Sequence, residues 1–497
     1  MRRLFLPALV LAVVIAASIL AGRANNAADP GNGSGAATEP ALNTPLFSAR
    51  RAPEWLRQPT TDGLLERGVS NALSSLAADS VHCLSVHRDG EPIAEINSTD
   101  ALIPGDLLRL VTVAALDTIS PNGGGFTTEI VRDADAAVVD GVLDGDLYLI
   151  GGADPVLSTA AFVDRFDDDR ASTSVAELAV AAVEALGRDG ITAVDGAIVG
   201  VDQKYDSDRA SNTLSTGENV WTAAEIASNT VGRTDGLLLD NGFESFDPET
   251  PDPGARVRTS DPEAHAADAL TAWIEFGGID VTGSARSGGA PDIAQRAAVA
   301  SIESPPLVDI ARRALVDATT AEMLYRELAV RAGWPGDLPL GAAINVSGAL
   351  VEAGLIPEDE VGNFPTWDGS GLSLRSASQC RALADILDGD AGPLSTGALT
   401  GVVSDGISAC VPSTIASLDV MASARPEVTA VAGRATASNG DELTFSLLVN
   451  WSPGEDGSLA ERTVCDDVVA ALLDAIGEHP GGPDLAEIAP LPVTDEE

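Results

Sequence analysis

Apolar and polar positions along the chain fall into distinct regimes. Val81 to His87 and Glu91 to Asn97 are strand-like runs joined through Arg88-Asp89-Gly90. This spacing predicts a β-hairpin, because Asp-Gly takes the left-handed conformations of a tight turn at low cost. After Pro104-Gly105-Asp106, the residues Leu107, Leu108, Leu110, Val111, Val113, Ala114, Ala115 and Leu116 are apolar on nearly every side and predict a buried helix. From about 126 to 300 the pattern changes to short β-like runs, such as 145–152, interleaved with Ala-rich helices at 174–187 and 261–277, which reads as a separate α+β module. Pro305-Pro306 punctuates the return, and 307–332 then reads as one helix. A helix at 378–387 follows the turn-rich Asp368-Gly369-Ser370-Gly371, and strand-like segments at 427–435 and 442–450 precede a closing helix at 459–477.

The N-terminus carries a different signal. Residues 1–24 combine Arg2-Arg3, an apolar run at 4–21 and Gly22-Arg23-Ala24, the order of an export signal. The run is also long enough to act as an uncleaved membrane anchor. Residues 25–43 are small and polar and read as a flexible linker, and 480–497 read as an acidic tail. The protein is therefore expected to be exported, in the cell envelope or outside the cell, with membrane contact only through its N-terminal segment. Cys83, Cys380, Cys410 and Cys465 lack metal-ligand spacing, and an even number of cysteines in an exported chain points to disulfides. Of the three possible connectivities the expected one is Cys380–Cys410 with Cys83–Cys465; buried free thiols are the alternative.

Composition narrows the function. The 497 residues are 45% hydrophobic, enough for real cores and two to four domains. Acidic residues number 75 against 29 basic ones, a net charge of −46, and such a field repels phosphate backbones. Nucleic-acid binding is thereby excluded. Lys204 is the single lysine, so any chemistry that needs an amine base must use it or do without. His82, His87, His265 and His479 form no metal-spaced cluster, and no metal or other cofactor is expected.

Six stretches in order carry a resemblance: Pro45-Leu46-Phe47-Ser48-Ala49-Arg50-Arg51, Leu102-Ile103-Pro104, the run from Val142 to Pro155, Glu303-Ser304-Pro305-Pro306-Leu307, Thr319-Thr320-Ala321-Glu322-Met323-Leu324, and Asp368-Gly369-Ser370-Gly371-Leu372-Ser373. Together, from about Thr44 to His479, they resemble the D-alanyl-D-alanine carboxypeptidase/endopeptidase family, the class C low-molecular-mass penicillin-binding proteins that trim peptidoglycan. The resemblance implies an α/β (α+β) class chain with a penicillin-binding, β-lactamase-like serine transpeptidase fold. Its main domain would comprise 44–118 and 303–479, interrupted by a large inserted α+β module at 119–302.

The family's chemistry uses Ser-x-x-Lys, Ser-x-Asn and Lys-Thr-Gly around one cleft: a serine nucleophile with a lysine base, a proton relay, and a cationic strand for the substrate carboxylate. In register, Asp106 stands for the serine and Arg109 for its lysine, while Val316, Asp317 and Ala318 fall on the second motif and Met421, Ala422 and Ser423 on the third. Arginine keeps its proton and cannot serve as the base. Position 201, three residues before Lys204, is valine, so the first motif exists nowhere in the chain. The resemblance thus implies a pseudoenzyme that binds peptidoglycan stem peptides or another envelope protein. Two alternatives stand beside it: an active D-Ala-D-Ala carboxypeptidase or other hydrolase using non-standard residues such as Asp106 or Ser370, and a purely structural envelope protein.

Each cleft candidate also has an ordinary structural account. Asp106 can cap a helix start and pair with Arg109 at i, i+3. Asp317 and Glu322 are expected on one helix facing the cleft, where a pair of acids would be glycosidase-like. Ser370 sits in a Gly-rich turn that suits its hydroxyl.

Overall fold

The computed structural model describes residues 54–479 except 77–79, 120–123, 167–169, 206–219, 229, 246–256, 335–337, 355, 390–396, 405, 438–439 and 454–457. The expected signal or anchor at 1–24, the linker at 25–43, the first ten residues of the expected main domain and the acidic tail at 480–497 lie outside the described residues. Among the described residues no helix is long and apolar enough to cross a membrane.

Helix α1 (Glu54–Leu73) precedes the hairpin of β1 (Ser80–Arg88) and β2 (Glu91–Ile96). The turn residues Asp89 and Gly90 have φ of 53° and 76°, as the Asp-Gly pair predicts. A 3-10 turn at Gly105–Leu107 runs into α2 (Leu108–Ile119), which is buried on all sides along its first two turns. The middle of the chain supplies β3 (Thr127–Asp133), β4 (Leu147–Ile150), α3 (Val175–Arg188), β5 (Ile198–Val201), α4 (Pro262–Phe276) and β6 (Arg296–Glu303). Ser174 and Asp261 begin the two helices by accepting the N–H groups of Glu177 and Ala264. The last part comprises α5 (Leu307–Val316), α6 (Ala318–Arg331), α7 (Leu338–Glu352), α8 (Cys380–Asp388), β7 (Ile415–Arg425), β8 (Val428–Ala437), β9 (Glu442–Trp451) and α9 (Asp467–Gly477).

The expected single helix at 307–332 is two helices. Asp317 leaves helical geometry (φ −123°, ψ 113°) and its carboxylate accepts the Thr320 N–H, so the residue that ends α5 also caps α6. The closing helix likewise starts at 467 and not near 459, because Asp466 accepts the N–H groups of Val468 and Val469. Strand β7 carries the third-motif positions that the resemblance puts on a strand; helices α1 and α7 have no counterpart in the sequence pattern, since α1 carries Pro59 and Gly63, and α7 carries Gly341 and Gly348, residues that weaken a helical pattern.

The larger antiparallel sheet has the order β7-β8-β9-β1-β2. One face packs on α1 and α9 through Leu84, Val86, Phe445 and Leu447 against Leu65, Val69, Val469 and Leu473. The other, with Cys83, Met421, Ala430 and Leu448, joins α2, α6 and α8 in the largest core. A second, mixed sheet has the order Arg286–Ser287, β5, β4, β3, β6, and α3 and α4 cover it through Leu178, Ala182, Leu270 and Ile274. Lys204, following β5, reaches Glu327 on α6 at 3.3 Å and so ties this second sheet to the helical layer.

The disulfides correct the expected pairing. Cys83 bonds Cys380, with Cα atoms 5.8 Å apart, and Cys410 bonds Cys465, with Cα atoms 5.7 Å apart. Cys83 points to the face of the sheet where α8 begins, whereas Cys410 packs with the core on the opposite face. Cys380–Cys410 and Cys83–Cys465 would each have to pass through the sheet.

Candidate functional site

The site begins at a glycine. Gly105 has φ of 54°, and a Cβ there would lie 2.6 Å from the Ser423 hydroxyl on β7, so only glycine lets the turn before α2 press onto the strand. Asp106 follows. Its Oδ1 lies 2.6 Å from Arg425 Nη2 and 3.2 Å from Arg109 Nη2, with the three side chains between 9% and 27% exposed. Arg425 also donates to the Leu372 carbonyl at 3.1 Å, and Arg109 to the carbonyls of Ser370 at 3.0 Å and Leu315 at 3.3 Å. One carboxylate and two guanidiniums thus join the start of α2, the end of β7, the end of α5 and the Gly-rich loop at 368–373. Burial works against the charge on Asp106, but Arg109 and Arg425 outweigh it and hold the carboxyl below its usual range.

Strand alternation places Met421, Ser423 and Arg425 on the face of β7 toward α2, and Ala422 on the other. Met421 and Ser423 are buried; Met421 fills the core and Ser423 lies against Gly105. Arg425 is the member of the site that motif counting missed. A period of two from position 421 points to it, once β7 is known to continue that far.

The second-motif positions fall at the junction of α5 and α6, next to the Leu315 carbonyl that Arg109 bonds. Val316 is exposed, and Ala318 opens α6. Asp317 accepts the Thr320 N–H at 2.7 Å and the Asn241 amide at 2.6 Å. Burial opposes its charge, yet Arg313 and the Thr320 N–H keep its carboxyl below the usual range. Glu322 is buried beneath the Gly-rich loop, where its Oε2 accepts the Gly369 N–H at 2.8 Å. Burial, reinforced by the Asp368 carboxylate, pushes it up to about 7. The two acids therefore serve separate networks, and the glycosidase-like pairing does not form.

Ser370 is fully buried. Its hydroxyl donates to Asp368 at 2.7 Å and accepts the Leu372 N–H at 3.2 Å, while Asp368 also accepts Trp221 Nε1 at 2.9 Å and the Ser373 N–H at 3.0 Å. These bonds organise the loop and leave the hydroxyl beside an acceptor that fixes it. A serine, a histidine and an acid do meet elsewhere: Ser85 Oγ is 2.9 Å from His87 Nε2, and His87 Nδ1 is 2.6 Å from Asp388 Oδ2. Ser85 and His87 are both sealed beneath α8, so this chain of bonds fastens the helix to β1 and is closed to substrate. Among the described residues no group of three or more His, Cys, Asp or Glu side chains is arranged to hold a metal.

A family model described as D-Ala-D-Ala carboxypeptidase 3 (S13) matches residues 74–243 and 245–399. Penicillin-binding protein 4 from Haemophilus influenzae superposes with a TM-score of 0.59 at 17% identity, covering 83% of this chain and 99% of that one. Its complex with a novel β-lactam gives 0.57 at 16%, with the same coverage. A predatory peptidoglycan endopeptidase from Bdellovibrio bacteriovorus gives 0.46 at 12%, covering 82% and 94%. No curated protein matches the chain by sequence. The fold is the penicillin-binding, β-lactamase-like α/β architecture.

Proposed function

Because the chain belongs to the D-Ala-D-Ala carboxypeptidase 3 (S13) family, we propose that it is a non-acylating member, an exported protein that binds peptidoglycan stem peptides or another envelope protein without cleaving them. In this reading 44–118 and 303–479 form the penicillin-binding-like domain and 119–302 the module inserted in it.

The observation that carries the reading is the bond from Arg425 to Asp106 at 2.6 Å, with Arg109 closing the other side. Acyl transfer needs a hydroxyl whose proton a neighbouring base removes. Here the candidate nucleophile is a carboxylate held ionised by two permanent cations, and neither guanidinium can accept a proton. Ser423 is the hydroxyl nearest that centre by register, and it is buried against Gly105. Lys204 is engaged with Glu327 on α6. The ion-paired centre still carries one net positive charge, which suits a ligand carboxylate.

Labelling with a fluorescent penicillin tests the reading. No labelled band is expected from pure protein at any concentration that labels an active family member. A covalent adduct seen by mass spectrometry would overturn it, and loss of that adduct in Ser370→Ala would identify an unconventional nucleophile. Calorimetry with purified muropeptides then separates the ligands: heat of binding selects the peptides, and its absence at millimolar ligand selects an envelope protein.

A further inference from the structure

The inserted module bears an apolar feature that the fold does not use. Near the end of α4, Phe276 is 85% exposed and Trp273 37% exposed, with their rings edge to face at 5.9 Å and 85°. Helix α3 packs alongside α4, with Val183 against Gly277, and one turn earlier α3 presents Val180, 57% exposed. The buried residues of both helices, Leu178, Ala182, Leu270 and Ile274, already cover the mixed sheet. Trp273, Phe276 and Val180 therefore contribute little to that core. Large apolar side chains grouped in water, in a chain with only six Trp and ten Phe, mark a contact surface more often than chance.

The exposed charges on these two helices bear on what covers the patch. Glu177 and Glu184 on α3, Asp268 and Glu275 on α4, and Asp280 just beyond are all exposed, against the exposed cations Arg188 at the end of α3 and Arg286 on the strand packed on α4, the latter paired with Asp146. An aromatic pair on helices whose exposed charges are mainly carboxylates is complementary to a guanidinium or ammonium group on an apolar stem, through cation–π contact with the indole and ion pairing to those carboxylates. A second copy of this chain, at −46, or an anionic lipid surface would instead be repelled.

We infer that the Trp273–Phe276 face of the inserted module docks a basic, apolar segment of a partner protein, a segment alternating arginine or lysine with aliphatic residues. This surface lies apart from the Asp106 centre in sequence and secondary structure, and its use does not depend on whether that centre acylates.

The probe is a labelled synthetic peptide of alternating arginine and leucine, titrated into the full chain at fixed ionic strength and followed by fluorescence anisotropy. Trp273→Ala with Phe276→Ser is expected to weaken binding about tenfold, as removal of an aromatic anchor does. Glu184→Gln with Glu275→Gln leaves the rings in place and is expected to weaken binding severalfold and flatten its salt dependence. A control peptide with serine for leucine is expected to bind both proteins weakly and alike. Equal affinity of wild type and the aromatic variant would show attraction by net charge alone and overturn the inference. So would tight binding of a glutamate-leucine peptide, or a wild-type dimer in sedimentation that the aromatic variant abolishes. Unchanged thermal melting of the charge variant keeps the comparison valid if the aromatic variant is poorly folded.

Discussion

Arg425 Nη2 approaches Asp106 Oδ1 to 2.6 Å, closer than Arg109, which lies one helical turn from that carboxylate in sequence. The long-range partner makes the shorter bond because Pro104-Gly105 holds the turn against β7, where Arg425 follows Met421 and Ser423 on one face.

Arg425→Ala is expected to lower stability by about 1–2 kcal/mol near neutral pH, the scale for losing a charge-assisted hydrogen bond between partly exposed side chains. Asp106 has its folded-state pKa depressed, so its contribution is present above the unfolded value of about 4 and is lost as pH falls through the folded value. The gap between wild type and variant in urea denaturation should therefore close on acidification. A gap that is constant from about pH 7 to about pH 3 would show that the pair contributes no net electrostatic stabilisation.

Glu322 predicts the opposite slope. Its carboxyl is raised to about 7 in the folded protein, so the folded state binds the extra proton between roughly pH 4.5 and 7. Stability attributable to this group should fall as pH rises through that window, by on the order of 2 kcal/mol. Glu322→Gln keeps an acceptor for the Gly369 N–H and is expected to flatten the slope. The check is the urea midpoint of both proteins across the window.

Proteolysis without reduction, followed by mass spectrometry, should recover Cys83 linked to Cys380 and Cys410 linked to Cys465. Cys83→Ser with Cys380→Ser is expected to cost about 2–5 kcal/mol, because that bond closes a very long loop in the unfolded chain. Recovery of a Cys380–Cys410 peptide would place α8 differently on the sheet.

The locally encoded parts of this fold were legible in the sequence. Asp89-Gly90 announced the hairpin, and the unbroken apolar run after Asp106 announced α2, since each depends on neighbours a few residues away. The same sequence concealed whatever depends on distant packing. Asp317 looks like one more polar residue of a long helix until Asn241 and Thr320 are both seen bonding to it. The pairing of the cysteines depends on which face of the sheet each occupies, and Glu322 turns inward because the loop at Gly369 needs its carboxylate. The pairing of Asp106 with Arg109 was readable from i, i+3 spacing, whereas Arg425 needed the location of β7.

The contact between Lys204 and Glu327 has a practical side. Apart from its amino terminus the chain offers one amine to acylating reagents, and that amine sits where the second sheet meets α6. A dye coupled there would report on this junction alone, with no cysteine introduced beside the two native crosslinks.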